Sequence, residues 1–94
     1  MITPKERAKL KKLSHHDKPM LNIGKDGVSS GTLEALDELL EARELVKIKI
    51  LNNNFDDPED IKEVLMKELG ADFVQYIGNI LTLYRPAKDP KIVL

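Results

Sequence analysis

Met20-Leu21-Asn22-Ile23-Gly24-Lys25-Asp26-Gly27-Val28-Ser29-Ser30-Gly31-Thr32-Leu33 reads as a short apolar strand, a Gly-x-x-Gly turn and the capped start of a helix. A strand that enters a helix through such a turn offers backbone N–H groups beside the positive end of the helix dipole. That combination holds anions, phosphate above all. The first glycine lets the backbone turn, and the second lets a ligand approach closely. Lys25 adds a mobile cation at the tip, and Asp26 puts a negative charge beside it. The same turn would also serve as a plain connector, so the rest of the chain has to choose between the two.

Upstream, Thr3-Pro4-Lys5-Glu6 opens a helix. Thr3 is the N-cap, Pro4 takes the first helical position, and Glu6 completes a capping box. The helix is expected to run to about Leu13, with Leu10 and Leu13 on one side, Ile2 near the entry, and Lys5, Lys9 and Lys12 on another side. Pro19 helps to end it, because the residue before a proline avoids the helical region. Downstream, Leu33, Leu36, Leu39 and Leu40 form the stripe of a second helix, with Glu34, Asp37, Glu38 and Glu41 facing water. Leu45–Leu51 alternates as a strand, with Val46, Ile48 and Ile50 on one face and Lys47 and Lys49 on the other. After a loop over 52–56, Asp57 caps a third helix with Pro58 at its first position, and Ile61, Val64, Leu65 and Leu69 form its core face. Gly70 ends it. Asp72–Ile77 and Ile80–Arg85 are strands joined at Gly78-Asn79, a hairpin turn.

The element order is α-β-α-β-α-β-β. Two β-α-β crossovers predict two parallel pairings, and the final hairpin is antiparallel. The expected fold is therefore α/β: a four-stranded mixed sheet in a two-layer arrangement with the second and third helices. No position for the first helix follows from the pattern. The tail 86–94, with two prolines, is expected to be irregular.

The 94 residues suit one domain, 1–94, with a modest core. No apolar run approaches the ~20 residues that span a membrane. The opening Met1-Ile2-Thr3-Pro4-Lys5-Glu6-Arg7 lacks the apolar stretch of an export signal, so the cytoplasm is the expected compartment. The absence of cysteine excludes disulfides, thiolate zinc sites and cysteine nucleophiles. The formal net charge of −1 conceals segregation: residues 1–30 carry +4, residues 31–72 carry −7 and residues 73–94 carry +2. A basic zone can meet phosphates while an acidic zone faces solvent or another protein.

Ligands of open α/β sheets bind outside the carboxyl ends of strands, which sets Lys25 at a ligand edge. Lys5, Lys9, Lys12 and Lys18 would border it if the first helix packs alongside. Lys47, Lys49 and Arg85 extend the candidate basic surface along two strands, where they would track a phosphate backbone or simply solubilise the fold. Tyr84 is a candidate base-stacking residue or a half-buried sheet tyrosine.

An enzyme finds little support. His15 and His16 are adjacent and would point apart, a poor metal pair. Asp56, Asp57, Glu59 and Asp60 gather where a helix N-terminus favours acids anyway. The glycine turn is not followed by the Lys-Ser/Thr of a P-loop. No catalytic residue, metal or cofactor is expected.

The combination of Lys11-Lys12-Leu13, Lys18-Pro19, Ile23-Gly24-Lys25-Asp26-Gly27-Val28, Glu44-Leu45-Val46-Lys47-Ile48-Lys49 and Gly78-Asn79-Ile80-Leu81-Thr82-Leu83-Tyr84-Arg85-Pro86 resembles the CRM domain (chloroplast RNA splicing and ribosome maturation) family, and in particular its single-domain YhbY-like members. The resemblance covers nearly the whole chain. It implies a fold like the C-terminal domain of translation initiation factor three. It implies RNA as the partner, with association with precursors of the large ribosomal subunit, and RNA contact at Gly24, Lys25, Asp26 and Gly27. A monomer without small-molecule substrate or membrane attachment is expected. A protein-interaction module on a ribosome-associated partner, using the acidic second helix, is the alternative.

Overall fold

The computed structural model describes residues 1–51 and 57–94. The expected loop 52–56, with Phe55 and Asp56, lies outside the described residues. The elements follow in the order α1 (Pro4–Ser14), β1 (Leu21–Ile23), α2 (Ser30–Arg43), β2 (Leu45–Ile50), α3 (Pro58–Leu69), β3 (Asp72–Ile77) and β4 (Ile80–Tyr84). Local chemistry sets most of the boundaries. The Thr3 hydroxyl accepts the Glu6 N–H at 3.1 Å while the Glu6 carboxylate accepts the Thr3 N–H at 2.9 Å. Asp57 accepts the Glu59 N–H at 2.9 Å, and Gly70 ends α3 at φ +64. Gly78 and Asn79 both have positive φ, 58° and 65°. That is the two-residue turn whose twist matches a hairpin.

The sheet is mixed and four-stranded, in the order β1-β2-β4-β3. β1 pairs parallel to β2, and β4 pairs antiparallel to both β2 and β3. The second expected parallel pairing is thus corrected. β2 and β3 run in the same direction, but β4 is inserted between them. A hairpin strand folded back beside β3 takes the ladder edge that β2 would otherwise share with β3.

The sheet separates two apolar clusters. On one face Val46, Ile48, Ile50, Leu81 and Leu83 pack with Leu36 and Leu40 of α2 and Ile61, Leu65 and Leu69 of α3. Each fully buried leucine there contributes about 1.5–3 kcal/mol. Val64, expected on the core face of α3, is 41% exposed, while Met66 packs inward. The buried line of α3 runs through Ile61, Leu65 and Leu69 at i, i+4, i+8, which turns position 64 to the rim. On the other face α1 supplies Leu10, which joins Ile2, Leu45, Val74 and Tyr84, with Ile92 of the tail packed against them. The first helix therefore covers the face opposite α2 and α3. Leu13, expected beside Leu10, is 46% exposed, and Ser14 is buried instead with its hydroxyl donating to the Lys11 carbonyl at 2.9 Å.

The tail has no helix or strand, yet it is tied down. Glu44 ends α2 with φ +65 and is 1% exposed. Its carboxylate accepts the N–H groups of Ala87, Lys91 and Ile92 at 2.9, 2.8 and 2.9 Å. Burial raises its pKa. The three backbone donors and the charge of Lys91 outweigh that and hold the carboxyl below its ordinary value. The C-cap of α2 is thus the clasp of the C-terminal segment.

Candidate nucleic-acid interface

β1 ends at Ile23, and the chain turns at once. The Gly27 N–H donates to the Gly24 carbonyl at 2.9 Å, closing a four-residue turn with Lys25 and Asp26 exposed at its tip. Gly27 has φ +65 and is buried. Gly27 rather than Gly24 therefore supplies the positive φ of the turn, and a Cβ there would be strained. Val28 and Ser29 then lead into α2, where the Ser29 hydroxyl accepts the Thr32 N–H at 3.2 Å. The first turn of α2 holds no acidic residue, whereas that of α3 holds Glu59 and Asp60. The positive end of α2 is left unneutralised beside Lys25, while that of α3 is offset by its own side chains.

The sheet decides which other cations reach this end. β1 and β2 both finish here, with Asn22 level with Lys49 and Ile23 level with Ile50. The opposite end of the sheet holds Leu45, Asp72 and Tyr84 in register, with the start of α1 over it: the Met1 amino group lies 3.8 Å from Asp72. Helix α1 thus covers only half of its face of the sheet. Lys47 is half-buried and its ammonium donates to the Asp17 carbonyl at 3.1 Å. Lys49 is exposed. His15, at the end of α1, lines an open depression of about 300 Å3 with Lys47, Gln75, Ile77 and Ile80.

Lys47 and Lys49 therefore project from one face of β2, and Lys25 and Lys49 lie toward the same end of the sheet. Lys12 in the last turn of α1 and Lys18 just beyond it are exposed. Lys5 and Lys9 lie elsewhere. They border the C-terminal Leu94, and the Lys9 ammonium donates to the Val93 carbonyl at 2.6 Å. Arg85 has another occupation. Its guanidinium donates to the Asp37 carboxylate at 2.8 Å and to the carbonyls of Leu69 and Asp37 at 3.0 Å, and lies 4.0 Å from Glu41. With only 18% of its side chain exposed, it braces α2 against the end of α3. Tyr84 is buried, which removes it as a stacking platform, and burial together with the charges of Glu44, Glu6 and Asp72 pushes its phenol pKa up.

Gln75 and Ile77 were not singled out by pattern. A bulge at Val74 is the reason: Phe73 pairs with Leu83, but Gln75 pairs with Thr82. Strict alternation would put Gln75 and Ile77 on the face of Phe73, toward α2 and α3. The extra residue moves them to the other face, beside Lys47 and Ile80. Among the described residues no group of three or more His, Asp or Glu side chains could hold a metal ion. No helix among them is long and apolar enough to cross a membrane.

The CRS1/YhbY (CRM) domain model matches residues 2–85. The chain belongs to the CRM domain family. The matched CRM domain spans most of the chain. The probable RNA-binding protein YqeI of Bacillus subtilis is 38% identical over 91 residues, spanning 97% of this chain and 95% of that protein. An RNA-binding protein of Haemophilus influenzae is 34% identical over 93 residues, spanning 99% and 94%. The solution structure of a hypothetical protein from Staphylococcus aureus superposes with a TM-score of 0.82 at 37% identity, covering 97% of this CRM domain and 95% of that chain. The mixed four-stranded sheet with three helices is thus a fold that a solved relative shares.

Proposed function

We propose that this CRM-domain protein is a non-enzymatic RNA-binding protein that acts in the cytoplasm on ribosomal RNA within precursors of the large ribosomal subunit. One observation carries the reading. The exposed Lys25-Asp26 tip sits beside an unneutralised helix N-terminus, at the end of the sheet where Lys49 is exposed. The names of the Bacillus and Haemophilus relatives support RNA as the ligand. In this reading the turn between Gly24 and Gly27 receives one phosphate at the start of α2, and Lys25 pairs with it. Lys49, Lys47, Lys18 and Lys12 follow the neighbouring phosphates, while Lys5 and Lys9 contribute from a greater distance. Arg85 acts as a brace rather than a contact. Such contacts position an RNA without reading its sequence, so the shape of a folded RNA supplies most of the selectivity.

The alternative, a protein-binding surface on the acidic face of α2, loses part of its basis. Asp37 and Glu41 are engaged with Arg85, and Glu41 also accepts the Lys88 N–H at 2.9 Å. The test is binding of structured large-subunit rRNA fragments by the wild type and by Lys25→Glu across a salt series. Salt-dependent binding that weakens about tenfold or more in the variant supports the reading, with a slope set by a few phosphate contacts. No binding by the wild type at low salt contradicts it.

A further inference from the structure

The half of the sheet face beyond the sealed cluster under α1 has an order of its own. Two rows of side chains cross it. Lys47, Thr82 and Gln75 are in register across β2, β4 and β3, and beside them run Asn22, Lys49, Ile80 and Ile77 across all four strands. The first row is polar. Thr82 is fully buried in it, with no hydrogen-bond partner for its hydroxyl among the described residues. The second row ends in an apolar step, Ile80 and Ile77, the latter 68% exposed at the rim. His15 closes the depression from the end of α1. Neighbouring strands are about 4.8 Å apart, so β1, which feeds the glycine turn, lies about 10 Å from β4.

We infer that this depression is a subsite for one unstacked RNA base, lying flat on Ile77 and Ile80 with its edge read by the Gln75 amide. The inference rests on the RNA-binding reading above and adds base selectivity to it. An apolar step of this size matches the face of a base, and flat apolar side chains can take the place of the stacking neighbours that an extruded base loses. A side-chain amide offers a donor and an acceptor side by side, which pairs with the N6 and N7 edge of adenine. Lys47 keeps two ammonium protons after its bond to the Asp17 carbonyl, and Lys49 flanks the apolar step, so the phosphates on either side of the base meet positive charge. The chemistry selects a single-stranded nucleotide, because a base paired inside a duplex cannot lie flat on the sheet.

The experiment measures anisotropy binding of oligo(A), oligo(U), oligo(C) and a fully paired RNA hairpin to the wild type, Gln75→Ala, Ile77→Asp and Lys25→Glu, together with methyl NMR of the isoleucines. The expected result is that oligo(A) binds about tenfold tighter than oligo(U) or oligo(C), and that Gln75→Ala removes this difference with little change for oligo(U). Ile77→Asp, at a rim position that leaves the fold intact, weakens all single strands about tenfold. The methyls of Ile77 and Ile80 shift with single strands and not with the hairpin. The subsite is overturned, with the RNA-binding reading intact, if Lys25→Glu weakens binding while Gln75→Ala and Ile77→Asp bind oligo(A) like the wild type. Equal methyl shifts with the paired hairpin overturn it as well. If the wild type binds none of the single strands, the subsite is overturned, while the RNA-binding reading stands or falls separately on the structured rRNA fragments.

Discussion

The face of the sheet that carries α1 has two halves of opposite character. In one half, Leu10, Leu45, Val74 and Tyr84 are sealed under helix and tail, and a buried carboxylate holds the tail in place. In the other half, Lys47, Gln75, Ile77 and Ile80 surround an opening with His15. The difference teaches that a charged residue in this fold has a role set by where it lies along the strands. Glu44, at the sealed end, has both carboxylate oxygens answered by backbone N–H groups, and Arg85, between α2 and α3, has both terminal nitrogens answered by oxygens of the fold. Lys25 and Lys49, at the open end, make no ion pair among the described residues.

The strongest attack on this contrast is Glu44→Ala. It strips three backbone N–H groups of their acceptor and frees the tail, and should cost about 3 kcal/mol of a total stability of about 5–15 kcal/mol. Urea unfolding measures the loss, and the affinity of the folded fraction for RNA should stay as it was. Arg85→Ala follows, with about 2 kcal/mol lost through the broken brace between α2 and α3. Reduced RNA affinity at unchanged stability would instead make Arg85 part of the interface. Reversing Lys49 to Glu should leave stability within about 0.5 kcal/mol. It should lower RNA affinity several-fold and reduce the salt slope by about one. The smallest effect is expected from Lys5→Glu, at the sealed end, where a change in affinity beyond about twofold would extend the interface along α1.

Acid provides a separate probe of the sealed half. The Glu44 carboxyl is held below its ordinary value in the folded protein. Its contribution is therefore complete above the ordinary carboxylate range and is lost as pH falls through that range toward the folded value. The urea midpoint of the wild type should drop more between pH 7 and pH 3 than that of Glu44→Gln, whose amide does not titrate.

What was legible in the chain beforehand is whatever short-range chemistry dictates. Thr3 with Glu6, Asp57 with Pro58, Gly70, and Gly78 with Asn79 each mark a boundary through contacts a few residues apart, and the element order follows. The insertion of β4 between β2 and β3 depends on which edge is free once the helices have packed, and no local pattern carries that. Glu44 stood out only as the first residue of the Glu44–Lys49 motif, because its three partners lie more than forty residues away. Gln75 and Ile77 were hidden by a single bulged residue that changes the face of everything after it. For the site, the turn from Gly24 to Gly27 and the outward lysines of β2 could be read from spacing and alternation. The separation of Lys5, Lys9 and Arg85 from them required the packing of α1 and the tail.

The most direct test of the contrast is a backbone amide NMR titration of the wild-type protein with a structured large-subunit rRNA fragment. Shifts and broadening should gather at Gly24 to Gly27, at Lys47 to Lys49 and around Gln75 to Ile80, leaving Lys5 to Lys9 and Ala87 to Ile92 nearly still. Changes concentrated in the first turns of α1 and in the tail, with residues 24 to 27 unmoved, would contradict the account.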